Sequence, residues 1–165
     1  MAERECFIAE GRLAVEALLD SGSFELENVQ IEEGRHGGLL ERLEAEGVPF
    51  QLRSRRELQV EAGYDFHRGV FARVKRPCSA EPSGDDLQRT ARLVFPVGLA
   101  DPGNLGTVVR NGVAFGADGI VLERDRGADI WSRKSIRASA TGVFRIPIYR
   151  PRGIVDFLIR ARDSG

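Results

Sequence analysis

Leu93-Val94-Phe95-Pro96-Val97-Gly98-Leu99-Ala100-Asp101-Pro102-Gly103-Asn104-Leu105-Gly106-Thr107-Val108-Val109-Arg110 reads as a strand, a turn and the opening of a helix. Within residues 92–99 the residues Leu93, Val94, Phe95 and Val97 make a nearly continuous apolar run, which suits a strand covered on both faces, as in a parallel sheet. Asp101-Pro102-Gly103-Asn104 is the turn. Beyond it Leu105, Val108, Val109, Gly112 and Val113 fall on one side of a helical wheel and are predicted to face the sheet. Asn104 and Arg110 lie on opposite edges of that stripe, free to meet a ligand. A loop that ends in a helix N-terminus also points backbone N–H groups outward. From the residues alone, the simpler reading makes Asn104 a helix N-cap and Arg110 an ordinary surface arginine.

The alternation continues downstream. Gly119–Leu122 is strand-like, Trp131–Ala140 is predicted helical, Phe144–Tyr149 extended, and Gly153–Ala161 starts another helix. The pattern stops there, and the lobe reads as the front part of a larger sheet domain. Glycines 98, 103 and 106 do not match G-x-G-x-x-G, so the dinucleotide fingerprint is missing.

Upstream, residues 77–90 hold two prolines, a glycine and polar residues without apolar periodicity, and read as a linker between a lobe at 1–76 and a second at 91–165. In the first lobe Leu13, Ala14, Ala17 and Leu18 mark a helix over 11–21. Val29–Ile31 is a short strand, and Leu39, Leu40 and Leu43 mark a helix that ends at Gly47. Val48–Leu52 is a strand, Arg55–Ala62 a weak helix and Gly69–Lys75 a last strand. The fold class is α/β: a small α/β lobe followed by a partial parallel-sheet α/β domain.

Composition narrows the function. No apolar run approaches the roughly 18 to 20 residues of a membrane span, and the charged N-terminus is not a secretory signal; the cytoplasm is the expected compartment. Cys6 and Cys78 lack neighbours at metal-ligand spacing and are expected as reduced thiols, with no metal site. Twelve Lys and Arg against eighteen Asp and Glu leave residues 1–90 at −6, while twelve against seven leave residues 91–165 at +5. Arg133, Lys134, Arg137, Arg145, Arg150 and Arg152 occur with no acidic residue among them. That is the footprint of a phosphate-backbone partner, or of an arginine-rich solvated face.

Four segments carry a resemblance. Asp101-Pro102-Gly103-Asn104-Leu105-Gly106-Thr107 followed by Arg110 resembles the first motif of the SpoU (TrmH) family of RNA ribose 2'-O-methyltransferases. Ala114–Leu122 resembles the family's next helix end and strand, and Arg133–Ser139 with Phe144–Pro147 the helix and strand after that. Phe7–Arg12 and Arg68–Ala72 are similar to the family's substrate-binding lobe, which is like a small RNA-binding ribosomal protein.

The resemblance implies a knot-forming SPOUT domain, a homodimer, and transfer of a methyl group from S-adenosylmethionine to a ribose 2'-hydroxyl of RNA, ribosomal rather than transfer RNA. It makes Arg110 the group that orients and polarises the hydroxyl, with Asn104 fixing the site. Arg133, Lys134, Arg137 and Arg145 would then touch phosphates. Three features depart from the family. Asn111-Gly112 replaces a small pair such as Thr-Ala, and a mid-helix glycine costs about 1 kcal/mol. Ala140-Thr141-Gly142 places its glycine one position late. The family's Gly-x-Glu and Ser-Leu-Asn motifs, which build the knot and most of the cofactor pocket, have no counterpart, so no cofactor-binding residue is assigned. The rival expectations are a non-catalytic RNA-binding protein of this lineage and an ordinary nucleotide-binding domain.

Overall fold

A computed structural model describes residues 5–66, 68–78, 92–124 and 126–164. The chain divides into two units, Met1–Arg76 and Pro77–Gly165. Most of the segment expected as a linker, residues 79–90, lies outside the described residues.

In the first unit β1 (Cys6–Glu10), α1 (Arg12–Ser21), β2 (Leu26–Glu32), α2 (Gly37–Ala45), β3 (Phe50–Arg53), α3 (Arg55–Ala62) and β4 (Val70–Lys75) form one sheet with helices. The strand order is β1-β4-β2-β3. β4 runs antiparallel to both β1 and β2, while β3 is parallel to β2. Alternation decides which side chain meets which layer. Pairing of Glu10 with Phe71 and Ile8 with Arg73 puts Ile8 and Phe71 on one face. There they pack with Leu58 and Ala62 of α3 and with Phe66. Phe7, Ala9, Ala72 and Val74 take the other face and are buried; α1 packs against β1 and β4 with Ala14, Val15, Ala17 and Leu18 inward.

The helix expected as weak has a strong start. The Ser54 side chain accepts from the Glu57 N–H and the Glu57 carboxylate accepts from the Ser54 N–H, a capping box that satisfies two otherwise orphaned donors. β1 was not expected as a strand. Cys6 is half-buried within it, Cys78 is exposed, and both are free thiols.

The second unit holds β5 (Leu93–Val94), α4 (Pro102–Ala114), β6 (Gly119–Val121), α5 (Arg133–Ala138), a 3-10 turn (Gly142–Phe144), β7 (Ile148–Tyr149) and α6 (Ile154–Ser164). The three strands are parallel in the order β5-β6-β7. Leu93, Val121 and Tyr149 pack with Phe157, Ile154 and Ala161 of α6. Val94 and Ile120, one residue out of phase, approach Gly112 of α4. The apolar run around residue 93 is thus covered on both faces.

The helix expected over Trp131–Ala140 spans only Arg133–Ala138, begun by the Ser132 cap, and two strands are also shorter than the sequence suggests. The strand expected over 92–99 pairs only at Leu93 and Val94. Pro96 has no N–H to donate, and Gly98 turns the chain at φ 67°. The stretch expected to be extended from Phe144 to Tyr149 begins inside the 3-10 turn, and only Ile148 and Tyr149 join the sheet. Among the described residues no helix is long and apolar enough to cross a membrane.

Candidate functional site

The site is built where α4 meets α5. Asp101 caps α4: its backbone is extended, its carboxylate accepts the Asn104 N–H at 2.9 Å, and Pro102 follows at the first helical position. Asn104 is therefore not the cap, as the residue-only reading allowed, but sits in the first turn with its side chain exposed. Lys134 of α5 reaches the same carboxylate, Nζ to Oδ2 2.5 Å. That ammonium group first, and then the Asn104 N–H, hold the Asp101 carboxyl below its ordinary range.

Two glycines make the approach of the helices possible. A Cβ on Gly103 would stand 2.9 Å from Asp101 Oδ1 and 3.0 Å from Lys134 Cε, so a side chain there would obstruct the lysine's path to its partner. A Cβ on Gly106 would stand 2.4 Å from the Ser135 carbonyl oxygen and 2.9 Å from the Ser139 nitrogen. Here α4 lies directly against the backbone of α5. The buried stripe of α4 is accordingly Leu105, Gly106, Val109 and Gly112, with Val108 and Val113 only half-buried.

Past α5 the chain takes an unusual path. Ser139 is fully buried; its hydroxyl donates to the Ile136 carbonyl at 2.8 Å and accepts the Val143 N–H at 3.4 Å. Ala140 and Thr141 then adopt φ of 49° and 67°. For residues with a Cβ this left-handed region costs roughly 1 to 2 kcal/mol each. Gly142, whose backbone is not left-handed, lies beneath α4, where its Cβ would stand 3.7 Å from the Arg110 Cα. The displaced glycine noted in the sequence thus leaves a threonine in the conformation that glycine would adopt freely.

Arg110 is exposed above this turn, and its guanidinium has no hydrogen bond or ion pair among the described residues. Asn104 and Arg110 are separated by about 9 Å of helix axis and about 120° of rotation, so they face different parts of the α4 surface rather than each other. Of the expected phosphate contacts, Arg133, Arg137 and Arg145 are exposed. Arg137 and Arg145 carry guanidinium groups without partners among the described residues. Lys134 is instead paired with Asp101, and the Arg150 guanidinium donates to the Glu123 and Arg124 carbonyls. The basic stretch is thus partly compensated by groups distant in sequence. Asp101, Ser139 and Thr141 were not singled out from the sequence; only Asp101, followed by a proline, carried a helix-start signal that could have found it.

At the carboxyl ends of β5 and β6 a small crevice is lined by Pro96, Leu99, Leu105, Leu122, Glu123 and the segment Arg126–Ala128. Among the described residues no group of three or more His, Cys, Asp or Glu could hold a metal.

Comparison with known proteins agrees with this architecture. Residues 91–165 match the model of the SpoU rRNA Methylase family, and residues 8–79 that of the RNA 2'-O ribose methyltransferase substrate-binding domain. The 23S rRNA (guanosine-2'-O-)-methyltransferase RlmB of Shewanella oneidensis is 28% identical over 160 residues, covering 92% of this chain and 65% of that protein. Its Escherichia coli counterpart is 32% identical over 126 residues, or 71% of this chain and 51% of that one. The chain therefore spans between half and two thirds of the length of these relatives. Among solved structures, an AdoMet-bound rRNA methyltransferase from Sinorhizobium meliloti superimposes with a TM-score of 0.77 at 26% identity, covering 99% of this chain and 60% of its own. The SpoU methyltransferase AviRb from Streptomyces viridochromogenes, at 20% identity and a TM-score of 0.78 over 99% of this chain and 62% of its own, shares the fold. With both of its units matched by the two models, the chain belongs to the SpoU/TrmH family of RNA 2'-O-ribose methyltransferases.

Proposed function

We propose that this chain is part of an enzyme that methylates a ribose 2'-hydroxyl of ribosomal RNA, with S-adenosylmethionine supplying the methyl group. The observation that carries the reading is Arg110: exposed and unpaired among the described residues, on a helix whose position is set by glycine-mediated contact with α5. The names of the relatives support ribosomal RNA as the target and S-adenosylmethionine as the donor.

A ribose hydroxyl is a poor nucleophile, and its reaction depends on orientation and on bias of its proton. A guanidinium offers five N–H donors and no acceptor. Arg110 therefore acts by hydrogen-bonding the ribose oxygen and an adjacent phosphate and holding the hydroxyl in line, while the hydroxyl proton passes to solvent rather than to the guanidinium. Asn104, with a side chain free of partners among the described residues, contributes donors and an acceptor at the first turn of α4. The enzyme works as a homodimer in the cytoplasm, with RNA lying across both subunits.

The test is Arg110→Ala in the complete protein. Methylation of ribosomal RNA is expected to be abolished while S-adenosylmethionine affinity by calorimetry stays nearly intact. Near-normal turnover would remove Arg110 from the mechanism.

A further inference from the structure

The turn after α5 gathers more positive charge than its own surroundings neutralise. The Arg137 carbonyl accepts the Ala140 N–H at 3.3 Å, the Ser139 carbonyl the Gly142 N–H at 2.9 Å, and the Gly142 carbonyl the Arg145 N–H at 3.0 Å. Gly142 in turn lies against the Arg110 backbone. Gly142 thus brings the backbones of Arg110 and Arg145 together, Arg137 stands at the start of the same turn, and none of the three guanidinium groups has a partner among the described residues. The carboxylate of Asp101 is occupied by Lys134. Three like charges carried by one turn and the helix above it, none paired with an acid among the described residues, favour an anion supplied from outside.

The second observation is the backbone itself. Among the described residues, positive φ outside glycine occurs only at His36, Ala140 and Thr141. Two of the three are consecutive and stand in this turn, locked by the buried Ser139 hydroxyl. Strain of this kind collects where a chain must present groups to a ligand. The group presented here is the Thr141 hydroxyl, half-buried and without a hydrogen bond among the described residues.

We infer that the Ser139–Arg145 turn is a seat for consecutive phosphates of a single-stranded RNA backbone, with Arg137 and Arg145 supplying charge, Thr141 Oγ1 donating a hydrogen bond, and Arg110 at its inner edge. The inference rests on the reading that this chain meets RNA, and adds Thr141 as a contact residue. It also removes Lys134 from the phosphate contacts, since its charge is spent on Asp101. Guanidinium groups pair bidentately with phosphate, and three of them exceed what a single free phosphate ion requires.

The experiment is binding of a fluorescein-labelled oligouridylate to the 165-residue chain by fluorescence anisotropy across a potassium chloride series. Each phosphate contact contributes a slope of about 0.7 between the logarithms of affinity and salt for single strands. Arg137→Ala and Arg145→Ala should each lower the slope by about that amount, whereas Arg42→Ala, which removes an arginine paired with Asp20 and Glu46, should not change it. Thr141→Ala should weaken binding about tenfold, in line with loss of a hydrogen bond to a charged group, while Thr141→Ser should bind as the parent does. Thermal melts establish that each variant is folded. Unchanged slopes in folded Arg137→Ala and Arg145→Ala, or equal loss in Thr141→Ser and Thr141→Ala, would overturn the seat while leaving the RNA reading intact. Tight calorimetric binding of inorganic phosphate would overturn the RNA strand as its occupant. A parent chain that does not bind oligouridylate at all would sink both.

Discussion

Lys134 and Asp101, 33 residues apart in sequence, form an ion pair of 2.5 Å that joins the first turn of α5 to the N-cap of α4. One carboxylate thereby caps a helix and anchors its neighbour. The pair is exposed, so its contribution to stability is small at any pH. Its pH dependence is still diagnostic. Because the folded-state pKa of Asp101 is depressed, the contribution is fully present above about pH 4, the ordinary carboxylate value, and is lost as pH falls through the lowered pKa. Lys134→Met is expected to melt slightly below the parent at neutral pH, with the gap closing in acid. A gap that stays constant from pH 7 to acid would show that the pair is not formed in solution.

Gly106→Ala is expected to destabilise the second unit by about 2 to 3 kcal/mol, the scale of overpacking. The new methyl group would meet backbone atoms of Ser135 and Ser139, and backbone cannot step aside without parting the helices. Gly112→Ala provides the contrast, since its nearest contact is the Ile120 side-chain tip at 3.1 Å. A slight shift of that tip, offset by alanine's better helix propensity, should keep the change within about 1 kcal/mol. Urea unfolding that ranks the two variants alike would refute the close approach of α4 to α5.

Thr141→Gly should raise stability. Relief of the left-handed penalty, roughly 1 to 2 kcal/mol, exceeds the added freedom of the unfolded chain, roughly 0.4 to 1 kcal/mol. The net gain of about 1 kcal/mol corresponds to a rise of about 4 to 8 °C in Tm for a unit of this size. A lower Tm would mean that the threonine packs in a way its conformation does not reveal.

The fold was legible where periodicity is strong. Residues Arg55–Ala62 and Val70–Lys75 lie where the sequence places a helix and a strand, and the run around Leu93 foretold a sheet covered on both faces. β1 escaped because Phe7 and Ala9 alternate with half-buried Cys6, Ile8 and Glu10 over only five residues, a signal too short to stand out from a helix start. The stripe on α4 was misjudged at Gly106 because a helical wheel counts side chains. What buries this residue is the lack of one, and the partner α5 is invisible to a single-helix pattern. Of the candidate site, the exposure of Arg110 and Asn104 outside the buried stripe of α4 was legible, whereas the neutralisation of Lys134 by Asp101 and the left-handed Thr141 depend on tertiary contacts that no local spacing encodes.

The strand order of the first unit carries a consequence for how it is made. β4 is its last strand to leave the ribosome, yet it lies between β1 and β2 and bonds to both. Until Val70–Lys75 emerges, β1 and β2 have open edges facing an empty slot, and α1 has only part of the layer it packs on. Vectorial folding is therefore barred for this unit: closure waits for the final strand to be inserted as a keystone, and a nascent chain paused before Val70 exposes two unpaired edges to its neighbours.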